Sequence, residues 1–219
     1  GGFFDVIVFF EALGGPVDMI AEDVSILTRS GTLQLGEVRT VLTENDLNTQ
    51  GDVTGFNFSA LSRGGPVVDT PGSTIATEGS FSVGAQGAGP PFETFDVALD
   101  DPGHEFGGVV SITGEDVVLT SSGASPLVLG QMSAFNGSSA AVDPTIPGGE
   151  GALTIASAST VLMAPNVNGD VALRTSGDAT IAAAVADTFF DIVLDGDDVD
   201  VRGALNLSGE DIRVVSRDG

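Results

Sequence analysis

The feature that most constrains the fold is a short phrase that recurs along the chain. It consists of an acidic residue, a stretch in which apolar side chains alternate, then Ser or Thr, and Gly; clear copies lie at 22–31, 115–123 and 170–177, and another begins at Glu210. Alternation places one set of side chains on the buried face of a strand, and Gly beside Asp or Ser is typical of a tight turn. The phrase therefore predicts many short strands separated by turns.

A unit of this kind cannot bury its apolar face alone, because one short strand has nothing to pack against. Stacked units bury a continuous core. We therefore predict an all-β fold of the parallel β-helix (β-solenoid) type with loop insertions, as a single domain over residues 1–219. A β-sandwich is the alternative, since its strands show the same alternation and turn spacing.

The charge of the chain restricts its partners. Thirty-one acidic residues face seven basic ones, which gives a formal net charge of −24. Such a surface repels nucleic-acid phosphates and anionic lipid headgroups, and it attracts cations. The longest apolar runs are also far shorter than the roughly 20 residues of a membrane-spanning helix. We expect neither a nucleic-acid partner nor membrane insertion, and the absence of Cys leaves no disulfide framework.

Residues 1–16 contain a dense run of aromatic and β-branched side chains, a composition that favours a strand. Such a run pairs readily with another chain when it lies at a sheet edge. We predict either a hydrophobic first strand that caps the core or a segment that joins subunits. The residues assigned to assembly are Phe3, Phe4, Val6, Val8 and Phe10.

Two stretches interrupt the regular pattern. Residues 63–107 and 131–151 are rich in Gly and Pro, and Pro marks places where strand pairing stops. We predict that both are loop-rich insertions, the first with short strands at 73–77, 80–83 and 94–99. Recognition of a ligand is expected in loops such as these.

The phrase Gly-Asp-Val-x-Leu-x-Thr-Ser-Gly at 169–177 resembles the repeats of filamentous-haemagglutinin-like bacterial surface proteins. The resemblance covers residues 22–43, 108–130 and 152–219. It implies a right-handed parallel β-helix that is exported to the cell surface and serves as an adhesin or a fibre.

The densest carboxylate cluster lies near the C-terminal end, at Asp195, Asp197, Asp198 and Asp200. Carboxylates at alternate positions of a loop supply the oxygen ligands that Ca²⁺ prefers. We predict a calcium site here and no other cofactor; the alternative is a solvated turn, because Asp is common at turn positions.

An enzyme is not expected. Thirty-one acids guarantee carboxylate pairs by chance, but the chain has no Trp or Tyr to stack on a sugar ring and no Lys. His104 is the single histidine, which rules out a three-His zinc site, and no motif provides a serine partner for a catalytic triad. We predict that His104 is a loop residue.

The function predicted is therefore structural. We expect a segment or subunit of an extracellular bacterial surface fibre that assembles with itself head to tail by strand pairing, with an acidic surface that binds cations. An adhesin that binds surface glycans is the alternative, and a β-helix enzyme that degrades polysaccharides is the second alternative.

Overall fold

The structure is a computed structural model. It describes residues 6–12, 14–21, 23–40, 56–87, 93–134, 153–159, 161–167, 171–175, 179–181, 184–187, 192–196, 199–201, 205–208 and 212–216. Beyond Met132, the side chains described are those at 153–159, 161, 193–195, 199 and 212–216.

Within these ranges the chain forms strands and turns, and no helix. The strands are β1 (Val6–Ala12), β2 (Val17–Ile20), β3 (Val24–Ser30), β4 (Leu33–Thr40), β5 (Phe58–Ser62), β6 (Val67–Asp69), β7 (Ile75–Thr77), β8 (Phe81–Ala85), β9 (Val97–Leu99), β10 (Glu105–Phe106), β11 (Val109–Gly114), β12 (Val117–Ser121), β13 (Leu127–Ala134), β14 (Leu153–Ser157), β15 (Val161–Val167), β16 (Val171–Thr175), β17 (Ala179–Ile181), β18 (Ala184–Asp187), β19 (Ile192–Gly196), β20 (Val199–Val201), β21 (Leu205–Ser208) and β22 (Ile212–Ser216).

The strands make two sheets of eleven strands each. Sheet A runs β1-β3-β5-β8-β11-β13-β15. After β15 it divides, with β17 and β20 on one branch and β18 and β21 on the other. Sheet B includes β2, β4, β6, β9, β12, β14, β16, β19 and β22; in the same sheet β7 pairs with β4, and β10 pairs with β7. Among the described residues every pair of named strands is parallel, and the one antiparallel contact is an isolated bridge between Gln86 and Thr94. The chain therefore passes back and forth between the sheets while advancing along both. This pattern confirms the all-β, parallel character of the prediction and differs from the antiparallel sheets of an immunoglobulin-type sandwich.

The alternation of the sequence places the core between the two sheets. In sheet A the inward residues Val24, Phe58, Phe81 and Val110 align strand over strand, and in sheet B Val67, Val97, Val117 and Leu153 do the same. All of them are buried. The rings of Phe58 and Phe81 stack with centroids 5.0 Å apart, and Phe106 tilts against Phe81 at 4.9 Å. Aromatic pairs of this kind add to the free energy of burial.

The prediction of a loop-rich insertion at 63–107 needs correction. This stretch supplies five strands, β6 to β10, which extend both sheets and bury side chains such as Ile75 and Leu99. Its strands are only two to five residues long. β7, β8 and β9 overlap the short strands predicted at 73–77, 80–83 and 94–99, whereas β6 and β10 were not predicted. The second predicted insertion begins inside β13, which continues to Ala134; residues 135–151 lie outside the described residues.

Tight turns join the strands at positions where the backbone takes an unusual conformation. Gly31 and Gly72 have φ values of 77° and 81°, and Phe56 has φ of 64° although it is not glycine. The Phe56 carbonyl accepts hydrogen bonds from the hydroxyl of Thr40 at 2.6 Å and from the N–H of Gly79 at 3.1 Å. These hydrogen bonds, together with burial of the Phe56 ring, offset the free-energy cost of its left-handed backbone conformation.

Candidate assembly surface

The first candidate surface is the edge of sheet A formed by β1. β1 pairs with β3 in register, from Val6 opposite Val24 to Ala12 opposite Ser30, and no described strand pairs with its other edge. The N–H of Val6 is directed to the carbonyl of Asp23 at 2.8 Å. Because successive residues of a strand turn their backbone groups to opposite sides, Ile7 directs its N–H and C=O to the unpaired edge.

The side chains of β1 divide into two sets. Val6, Val8 and Phe10 point toward the core and are half-buried, and Phe10 packs against the buried cluster. Ile7 and Phe9 point outward with exposed fractions of 64% and 69%. Three of the five residues assigned to assembly thus occupy inward positions of a terminal strand; Phe3 and Phe4 lie outside the described residues.

Sheet B ends in β2 on the same side of the molecule as β1. β2 pairs with β4, with an irregularity between Val17 and Met19. Val17 is buried, Met19 is partly buried against the core, and Ile20 is exposed. Beside this irregularity the Asp18 carboxylate accepts the N–H of Glu37 at 2.7 Å. β1 and β2 together present apolar inward side chains that no described strand covers.

The last described strand, β22, shows the same feature at the other end of sheet B. Ile212 and Val214 align with Ile192 and Leu194 of β19. Leu194 is only 3% exposed, whereas Ile212 and Val214 are 48% and 52% exposed. The inward position is thus buried at Leu194 of β19 and exposed at Val214, its partner in β22.

The predicted calcium ligands do not come together as one described group. Asp195 belongs to β19 of sheet B, opposite Arg174 and Val215 in the strand register, and Asp200 belongs to β20 of sheet A. Asp197 and Asp198 lie outside the described residues, as does the side chain of Asp200. In the described part of the chain no three His, Cys, Asp or Glu side chains are placed to hold a metal ion. The calcium site stays a prediction.

A second group of polar residues, which the sequence analysis missed, lies where β6 and β9 end. Asp69 occupies an inward position of sheet B, aligned with Leu35. His104 is completely buried and its Nε2 lies 2.8 Å from Asp69 Oδ2. The Nδ1 atom accepts the N–H of Ile75 at 3.1 Å. Since an acceptor nitrogen carries no proton, the proton of the neutral ring is on Nε2, which donates to Asp69.

The turns at 70–74 and 100–104 stack in this group. Asp69 Oδ2 also accepts the N–H of Asp101 at 2.8 Å, and the Asp101 carboxylate accepts the N–H groups of Gly72 and Gly103. These backbone bonds, from Gly103 first and then Gly72, hold the pKa of Asp101 below its usual value. Both ring nitrogens of His104 are occupied, so the ring binds the two turns together.

A cleft of about 350 Å³ opens beside this group, next to β10. Its wall includes Arg39, Glu78 and Glu105, with Gly107 and Gly123 among the small residues between them. Its lining holds one cation and two carboxylates among small and apolar residues, a composition suited to hydroxylated or charged small ligands.

Three further acids lie close together: Glu115 and Asp116 at the turn before β12, and Asp96 just before β9. Burial raises the pKa of Glu115, and the neighbouring carboxylates of Asp96 and Asp116 raise it further. The N–H of Asp116 is 3.4 Å from Asp96 Oδ1. Repulsion between these carboxylates therefore opposes ionisation of Glu115 in the folded chain.

Comparison with known proteins gives no relative: no family model, no curated protein and no solved structure matches the chain. Among the described strands and turns, no helix has the length and apolarity needed to cross a bilayer.

Proposed function

We propose that the chain is a parallel β-solenoid that serves as a structural segment or subunit of an extracellular bacterial surface fibre. The single observation that carries the proposal is that, among the described strands, none pairs with the outer edges of β1, β2 and β22, whose inward side chains are apolar. Support for the solenoid comes from the order of strands, which alternate between two parallel sheets. Support for a structural role comes from the open inward positions at β1, β2 and β22.

End-to-end contact would complete both the hydrogen-bond ladder and the core. A free strand edge is a template for another chain, and a second copy placed on β1 and β2 would cover Val6, Val8 and Met19. The partner surface would be the end that includes Ile212 and Val214. A contact of this kind joins two different surfaces and does not close on itself, so repetition gives a filament.

The charge of the chain sets a condition on this contact. Two copies that each carry a formal charge of −24 repel one another unless salt or bound cations screen the charge. We propose that divalent cations assist assembly, with Asp195, Asp197, Asp198 and Asp200 as the ligands.

Negative-stain electron microscopy of the purified chain tests the proposal, first with calcium and then with a chelator. We expect long fibres of uniform width with calcium, and shorter ones with the chelator. Discrete short particles in both conditions would contradict self-assembly.

A pair of variants tests the role of the edge. Ile7→Pro removes an N–H that points to the unpaired edge. The hydrogen bonds between β1 and β3 are kept, and proline is tolerated in edge strands. Ile7→Ala removes the side chain and keeps that N–H. We expect Ile7→Pro to abolish fibres and Ile7→Ala to retain them; fibres of equal length from both would show that β1 does not form the joint.

The cleft beside β10 favours one second candidate, a module that binds surface glycans. Glu105→Gln changes its wall at a position away from β1, β2 and β22. Loss of binding to immobilised glycans, with fibre formation unaffected, would support this function. Turnover of a polysaccharide that is lost in Glu105→Gln would instead point to the degrading enzyme.

A further inference from the structure

The outer surface of sheet A differs from the rest of this acidic chain. We call it the outer face of sheet A and define it by the outward side chains of four strands. These are Ile7, Phe9, Glu11, Ser25, Leu27, Arg29, Ser59, Leu61 and Ser82. The parallel register places Ile7, Ser25, Ser59 and Ser82 in one column and Phe9, Leu27 and Leu61 in the next.

The second column is an apolar strip on the surface. Phe9 is 69% exposed, and Leu27 and Leu61 are half-buried by their neighbours. Leu61 extends across Gly84, where an added Cβ would lie 3.0 Å from its Cδ1. Neighbouring strands of a sheet are about 4.8 Å apart, so the strip is continuous, and Ile7 widens it at the β1 end.

The outer face is also almost free of charge. Across β1, β3, β5, β8 and β11 the charged residues are Glu11 and Arg29. They neutralise each other, with Arg29 Nη1 3.0 Å from Glu11 Oε1. Arg63 follows β5 directly, and its backbone N–H is bound to the Thr28 carbonyl at 2.9 Å. Five strands thus carry no net charge in a chain whose formal charge is −24.

We infer that the outer face of sheet A is a lateral docking surface for a second copy of this chain. Copies with this charge repel one another over most orientations, so a stable contact has to use surface where both partners are neutral. The same face on both copies meets this condition. Two such sheets would pack about 10 Å apart, burying Phe9, Leu27 and Leu61 from each side, and a shared face gives a closed pair.

This contact is separate from the end-to-end joint of the proposed function. The lateral contact uses side chains on the outer face of sheet A, whereas the end-to-end contact uses the backbone edges of the terminal strands. In a fibre it would pair filaments side by side; without fibres it would give a dimer.

Cysteine cross-linking tests the contact directly, because the chain contains no Cys. Ser59→Cys places one thiol in the middle of the outer face of sheet A, and Ala98→Cys places one on the outward side of β9 in sheet B as a control. A bismaleimide with a spacer of about 10 Å matches the expected distance between packed sheets. We expect cross-linked dimer from Ser59→Cys and little from Ala98→Cys. Equal yields from the two variants would overturn the inference.

A charge placed on the strip gives a second test. Leu61→Glu introduces two like charges into the paired contact, and Val68→Glu puts the same change at a half-buried outward position of sheet B. In sedimentation equilibrium we expect Leu61→Glu to weaken the dimer at least tenfold and Val68→Glu to leave it unchanged. Equal dimerisation of Leu61→Glu and wild type would refute the inference. If wild type is monomeric and Leu61→Glu instead abolishes retention on immobilised polysaccharide, the occupant is a glycan and the inference is wrong.

Discussion

His104 Nε2 lies 2.8 Å from Asp69 Oδ2 across a sequence distance of 35 residues. The contact joins two turns that interrupt neighbouring strands of sheet B. Here backbone pairing is short, since β6 and β9 share two registered residue pairs and β7 and β10 share another two. Side-chain hydrogen bonds therefore replace part of the ladder between these strands.

The first prediction concerns the stability of this contact. Asp69→Leu leaves the buried N–H of His104 and the part-buried N–H of Asp101 without an acceptor, at a cost of about 1–3 kcal/mol for the first group and less for the second. We expect the double variant Asp69→Leu, His104→Leu to be no more stable than the single variant, because it removes the unpaired ring N–H but also removes the acceptor of the buried Ile75 N–H. Urea unfolding of the three proteins measures the difference. A single variant as stable as wild type would show that the bonds contribute nothing.

The second prediction concerns the proton on His104. Because Nδ1 accepts the Ile75 N–H, the ring should carry its proton on Nε2 at neutral pH. As the chain has one histidine, ¹⁵N labelling of histidine gives the signals of this ring alone. We expect one protonated and one unprotonated nitrogen, with the Ile75 amide protected from exchange. Protonation at Nδ1 would contradict the geometry.

The third prediction concerns acid. Backbone N–H groups hold the pKa of Asp101 below its ordinary value of 3.8, so its carboxylate stabilises the fold above the unfolded pKa, and this contribution is lost as the pH falls toward the folded value. We expect Asp101→Asn to be less stable than wild type at pH 7, with the difference shrinking below about pH 4. Asp100→Asn, at the exposed neighbour, is the control. Thermal unfolding across this range measures both.

The fourth prediction has the opposite sign. Burial and two nearby carboxylates raise the pKa of Glu115 above 4.5, so ionisation of Glu115 costs stability as the pH rises through the folded value. We expect Glu115→Gln to unfold at higher temperature than wild type at neutral pH, and the gain to shrink in high salt. Glu105→Gln removes the same formal charge at an exposed position. An equal gain from both variants would assign the effect to net charge.

The sequence predicted the strands because alternation is a local property. It did not identify the contact between Asp69 and His104, because their proximity depends on how distant strands register. A signal was present: Asp69 stands at the inward position of Val67-Val68-Asp69, and a buried carboxylate requires a partner.

The prediction for 63–107 was incomplete for a related reason: it gave short strands that overlap β7, β8 and β9, and it missed β6 and β10. Strands of two or three residues are too short for alternation to be visible, and the turns around them carry the Gly and Pro that indicate loops. Packing against a neighbouring strand, rather than local propensity, decides the conformation there.

The parallel ladders also determine how the molecule responds to force. Val97 pairs with Val117, which is 20 residues later in the chain. Hydrogen bonds between strands lie across the strand direction, so tension between the first and last strands would load the ladders one after another. Each ladder that opens would release about 70 Å of chain. A fibre built from such chains would lengthen in steps and absorb mechanical work before it broke. The step that breaks the Asp69–His104 hydrogen bond would need a higher force than its neighbours.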